Sequence, residues 1–123
     1  MNSVLVKVLG ICALSMPGFG FASEQNENPS EYFQDYLKIQ DHKPGVIAGM
    51  CGAYAVVVKN RPLFFRAHAA ADAEGGDAAI DEFTNMANGL SEQAFGYRDA
   101  GDLKKFQFNN DFLKCACLHI KAL

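Results

Sequence analysis

Gly45 to Lys59, GVIAGMCGAYAVVVK, carries no charge until its last residue, and everything amphipathic in this chain needs something apolar to lie against. On a helical wheel Ile47, Met50, Cys51, Tyr54, Val57 and Val58 share one face, while Gly49, Ala53 and Val56 keep the back smooth. A helix apolar all round is a membrane span or a central core helix. This one is about 14 residues long, short of the ~20 that a bilayer requires, so the stretch is expected to be the helix around which the rest packs.

The segments on either side read as partners for it. Before it, Asn28 is placed to cap a helix with Pro29 at the first helical position and Glu31 completing a capping box. Tyr32, Phe33, Tyr36 and Leu37 give this helix an apolar stripe, and it should end near Gln40, ahead of Lys43-Pro44-Gly45. After it, Tyr54 to Lys59 is rich in β-branched residues and LFFR follows Asn60-Arg61-Pro62, so a hairpin competes with two helices. The helical reading is preferred, because Leu63 to Glu74 is rich in Ala and ends in Gly75-Gly76. Its buried stripe would be Phe64, Ala67, His68 and Ala71, with Asp77 as the N-cap of the next helix.

From there Ile80, Phe83, Ala87, Leu90, Ala94 and Tyr97 recur at steps of three and four, a helical seam with Gly89 as a candidate kink or break. Asp99 to Asp102, DAGD, reads as a turn. The last helix is expected after the capping cluster Asn109-Asn110-Asp111, with Phe112, Leu113, Ala116, Cys117, Ile120 and Leu123 on its apolar face. The expected fold is all-α: a compact bundle of four to five helices around the central apolar one, with one disulfide.

Residues 1–22 read as a secretory signal peptide. Lys7 is their only charge, an apolar run follows it, Pro17-Gly18 break the run, and Gly20 and Ala22 set small residues before a cleavage point at Ser23. A membrane anchor, or lipidation at Cys12, fits less well, since the run is interrupted and Ile11 precedes that cysteine. Residues 23–123 then form a single helical domain of the periplasm with net charge −4, against −3 for the whole chain. Basic residues are scattered along the sequence, which speaks against a nucleic-acid binder. Acidic ones are not: between Arg66 and Arg98 there is no Lys or Arg, yet Asp72, Glu74, Asp77, Asp81, Glu82 and Glu92 lie there. Such a run is a solvated helix face or a surface for a basic partner.

Export makes a disulfide permissible among Cys51, Cys115 and Cys117. Cys115 and Cys117 point about 200° apart on a helix, so only one can face Cys51. Cys51–Cys115 is favoured, leaving Cys117 as a packed thiol or an intermolecular link. Cys115, Cys117 and His119 are metal-ligand types, but at i, i+2 and i+4 on a helix they do not converge. Cys115 and His119 as a nucleophile pair lack a third group and an oxyanion loop. His42 reads as a solvated turn residue, and His68 as a core or boundary one. Asp81-Glu82 point to different sides of a helix, and Gly75-Gly76 lacks the flanks of a phosphate loop. No catalytic set, metal site or cofactor site is expected.

Phe112-Leu113-Lys114-Cys115, followed by Leu118 and His119, resembles the C-terminal Leu-Lys-Cys helix of periplasmic immunity proteins that neutralise type VI secretion amidases. Cys51 followed by Tyr54 resembles the earlier cysteine helix of that family, whereas Cys117 stands where an acidic or polar residue is expected. The resemblance implies a small helical periplasmic protein, a possible homodimer, that performs no chemistry. It would occlude the cleft of a secreted peptidoglycan amidase of the papain-like cysteine peptidase type. Electrostatics then point to Asp72, Glu74, Asp77, Asp81 and Glu82, around a loop at Ala73 to Asp77, as the inhibitory surface. The alternative is a small periplasmic helical protein of general binding or chaperone-like role; neither reading involves nucleic acid or a stable membrane anchor.

Overall fold

The structure, a computed structural model, describes residues 28–39 and 43–120. Residues 1–22, read above as a signal peptide, and His42 and Leu123 lie outside these residues. Four helices make up the described chain: α1 (Pro29–Ile39), α2 (Pro44–Val57), α3 (Arg61–Asp99) and α4 (Leu103–His119). Among them, no helix is long and apolar enough to cross a membrane.

Local chemistry sets the helix starts. The Asn28 Oδ1 accepts from the Ser30 and Glu31 amides at 2.8 and 3.2 Å, so α1 begins where the capping pattern places it. Asn60 caps α3 through the Leu63 amide at 3.1 Å. The stretch from Tyr54 through the LFFR segment is therefore two helices joined by a short turn rather than a hairpin of strands.

The long helix α3 is two arms. Gly76 has φ 64° and ψ −147°, a conformation essentially closed to any residue with a Cβ, and it divides α3 into 61–75 and 77–99. The division is a reversal of direction. The Phe83 ring lies 5.2 Å from Phe64 and 5.3 Å from the imidazole of His68. In one straight helix the 19 residues from Phe64 to Phe83 would span about 28 Å, so the second arm must fold back along the first. Gly89, the other candidate break, is helical and faces open space, and the arm runs through it.

Helix α2 lies against both arms and against α4, and Met50, Cys51 and Ala53 are buried among the core residues Ala67, Ala71, Phe83 and Leu113. Its closest contact is on the side carrying glycines. A Cβ at Gly49 would sit 2.5 Å from the Met86 Cβ and 3.0 Å from the Phe83 carbonyl oxygen, and one at Gly45 would meet the Ala79 carbonyl oxygen. The smooth back of the wheel is thus what lets two backbones touch. The order of these contacts, Gly45 to Ala79, Gly49 to Phe83 and Gly52 to Ala87, makes α2 parallel to the 77–99 arm. Since a short turn joins α2 to the first arm, that arm runs antiparallel to it.

Helix α4 begins earlier than its capping cluster suggests. Asp102 caps it through the Lys105 amide at 3.2 Å, and Gly101 at φ 79° closes the preceding turn. Leu103 to Phe108 then extend the helix, and Asn109-Asn110-Asp111, expected as its start, fall in its interior. Among the described helices α1 packs only on α4, through Tyr32, Phe33 and Tyr36 against Phe112.

The expected Cys51–Cys115 bond is corrected: Cys51 is joined to Cys117, with Cα atoms 4.6 Å apart. Both cysteines of α4 are on inward sides, so burial alone does not choose between them. The turn carrying Leu113, Ala116 and Cys117 meets α2 at the level of Cys51, and Cys115 lies over Asp111, its Sγ 3.3 Å from that residue's carbonyl oxygen. Cys115 is not a free thiol. The Cys51–Cys117 bond closes a loop of 66 residues and ties α4, with α1 on it, to the three-helix core.

Two glycine substitutions should part in sign. Gly76→Ala is expected to destabilise by about 1–3 kcal/mol, since alanine must adopt a strained backbone, whereas Gly89→Ala should stabilise by about 0.5–1 kcal/mol. Urea unfolding of both variants checks this, and equal effects would contradict the reversal at Gly76.

Candidate functional site

The reversal at Gly76 decides where the acidic run goes. Asp72 and Glu74 end the first arm, Asp77 opens the second, and Asp81 and Glu82 follow on its next turn. None is more than six residues from Gly76, about 9 Å of helix rise, so all five are brought to one tip of the bundle. The expected loop at Ala73 to Asp77 is corrected to a reversal at a single residue, with helix on both sides. Glu92 does not belong to the tip, lying ten residues, or about 15 Å, further along the second arm.

Four of the five carboxylates are solvent-exposed, and Glu82 is partly covered. Lys43, at the start of α2, reaches Glu82 at 3.5 Å and is the only ion-pair partner the five have among the described residues. Their positions differ in energy. Asp77 lies at a helix N-terminus, where the macrodipole favours negative charge. Asp72 and Glu74 sit in the last turn of the first arm, the end that disfavours it by on the order of 0.3–1 kcal/mol each. The sequence places these two charges where local helix electrostatics alone would not.

The constellations weighed for chemistry are not assembled as sites. Among the described residues no group of three His, Cys, Asp or Glu side chains is arranged to hold a metal ion. Cys117 is consumed by the disulfide, Cys115 is buried and oxidised, and His119 packs its ring edge 5.9 Å from Phe33. His68 packs edge-on against Phe83.

Sequence reasoning missed one polar group. Asp111, read as a capping residue, is 4 % exposed in the interior of α4. Its carboxylate accepts from the Gln107 amide at 3.2 and 3.3 Å. Burial pushes its pKa up, against the lowering effect of the Gln107 bond and of the nearby Lys114 charge. Burial, and secondarily the Asp111 charge, raises the Tyr54 phenol above its usual value. Next to Asp111 in the helix, the Asn109 Nδ2 and Asn110 Oδ1 are buried without hydrogen-bond partners among the described residues. A dipeptide of asparagines before an aspartate carries no signal that separates a cap from a buried polar turn.

The raised value makes Asp111 a pH-dependent burden. Between the unfolded value near 3.8 and its higher folded value the native state holds a proton that the unfolded chain has lost. This group's contribution to stability therefore falls as pH rises through that window. Asp111→Asn should remove that slope and be at least as stable as the parent at neutral pH, as read from thermal unfolding between about pH 4 and pH 7. A variant that is markedly less stable at neutral pH would contradict this reading. No protein-family model, curated protein or solved structure matches this chain.

Proposed function

We propose that this protein is a binding protein that inhibits a secreted peptidoglycan amidase, and that the acidic tip at Gly76 is the surface it presents. The observation that carries the reading is the tip itself: five carboxylates gathered by one chain reversal, with Lys43 as their single ion-pair partner among the described residues. Two of them are held against the helix dipole, which is understandable if a cationic partner compensates them. The resemblance of the Cys51 and Cys115 helices to those of amidase immunity proteins supplies the partner class. On this reading the protein works by occupying a cleft, and none of its side chains takes part in bond making.

A rigid helical tip suits this role. Its carboxylates stand on two packed helices, so little ordering entropy is lost on docking. Their common sign speeds encounter with a cationic cleft rim and makes the rate sensitive to salt.

The protein, tagged and recovered from cells grown against competitors, should bring down one stoichiometric wall-degrading amidase. Asp77→Lys with Asp81→Lys should slow association at low salt by at least about tenfold and flatten its salt dependence, leaving the fold intact by circular dichroism. A diffuse set of unrelated exported proteins would favour a chaperone-like role, and an unchanged association rate in the double variant would remove the tip from the interface.

A further inference from the structure

Helix α4 is held unevenly along its length. From Leu113 onward it is fixed: Leu113, Cys115 and Ala116 are buried, and Cys117 is bonded to Cys51. The turn before it is fixed as well, with Gly101 at φ 79° and the Asp102 amide donating to the Tyr97 carbonyl at 3.0 Å. Between these two attachments little holds the helix down. No residue from 103 to 110 is buried, and Leu103 is 64 % exposed. Phe106 and Phe108 are half-buried, and the Phe108 ring lies 5.7 Å from that of Tyr32, itself an exposed residue. Lys105 reaches to 5.7 Å from the centroid of the Tyr97 ring.

The first side chain that α4 buries is a carboxyl group. Asp111 is 4 % exposed, and Asn109 and Asn110 just before it each bury a polar atom without a hydrogen-bond partner among the described residues. An apolar residue at this place would hold the segment down, whereas a carboxyl group does so at a cost that depends on its charge. Few groups offset that charge. On its own helix, the Gln107 amide donates to it at 3.2 and 3.3 Å and Lys114 attracts it. From α2, the Tyr54 phenol feels it and, raised above its ordinary 10.0, stays neutral wherever Asp111 titrates. From α1, Tyr32 and Tyr36 pack on the neighbouring Phe112, and burial raises Tyr36 as well. Among the described residues no side chain of α1 or α3 forms an ion pair or hydrogen bond with Asp111.

We propose that residues 103–111 are a strap, attached at both ends, that packs down in acid and loosens at neutral pH. With the Asp111 carboxyl protonated, the packed strap buries a neutral group. Once it ionises, opening returns the charge to water and gives the two asparagines solvent partners. Burial raises the Asp111 pKa in the packed form, so packing is most favoured below the ordinary 3.8, weakens as pH rises to the higher value, and is level beyond it. The crosslink keeps the rest of α4 in place meanwhile, so what opens is part of one helix and not the bundle. This inference does not depend on the amidase reading.

The test is hydrogen exchange of the full chain, read amide by amide and corrected for the intrinsic pH dependence of exchange. Between about pH 4 and pH 7, protection of amides 106–111 should fall at least about threefold more than that of amides 48–55 in α2. Asp111→Asn should abolish this difference. Gln107 is exposed, so Gln107→Ala leaves the fold intact, and by removing the donor to the carboxylate it should deepen the loss at pH 7 by about threefold or more. In the Asp111→Asn background the same change should have no such effect. A fall of equal size in α2, protection that ignores pH, a pH dependence that survives Asp111→Asn, or a Gln107→Ala variant that exchanges like the parent would each overturn the proposal.

Discussion

One backbone conformation organises this molecule. Gly76, at positive φ with ψ near −147°, turns what would be a 39-residue helix back on itself. Without that reversal Phe83 could not reach Phe64 and His68, and α2 would have one arm to lie on instead of two. The glycine side of α2 makes use of the arrangement: Gly45, Gly49 and Gly52 let its backbone approach the second arm closely enough to contact carbonyl groups. Small residues there, with Ala67, Ala71, Ala79 and Ala87 on the arms, give a thin, tightly joined three-helix core. Helices α4 and α1 form an outer layer, held covalently by Cys51–Cys117 and by rings packed on Phe112. A crosslink over 66 residues removes unfolded-state entropy worth on the order of 4 kcal/mol in the chain-entropy view, a large part of the stability of so small a domain.

The same reversal sorts charge. A continuous α3 would string its carboxylates along one rod, whereas the hairpin collects them at one tip.

Much of the fold was legible in the sequence because it rests on local rules. An uncharged run too short to span a bilayer had to be a core helix. Asn28-Pro29 and Gly75-Gly76 carry cap and breaker chemistry that tertiary packing did not override, and the seam from Ile80 to Tyr97 kept its period through Gly89. What remained hidden depends on which face meets which. Helical phase shows that Cys115 and Cys117 diverge, but only the docking of Leu113 and Ala116 on α2 decides that Cys117 faces Cys51. The start of α4 was obscured because Asn109-Asn110-Asp111 resembles a cap, while the working cap, Asp102, sat inside what read as a turn. Of the candidate site, the acidic residues were legible as a run. Their convergence was not, since a break without a change of direction has the same two glycines.

The most direct test of this account is a distance across the reversal. Arg66 and Asn85 are both exposed, and the hairpin sets them at one level on adjacent arms. Spin labels at these two positions should report a separation below about 20 Å, which adds label length to the 8–10 Å spacing of packed helices. A separation of about 28 Å or more, the rise of 19 residues in one unbroken helix, would contradict the hairpin and the acidic tip that depends on it.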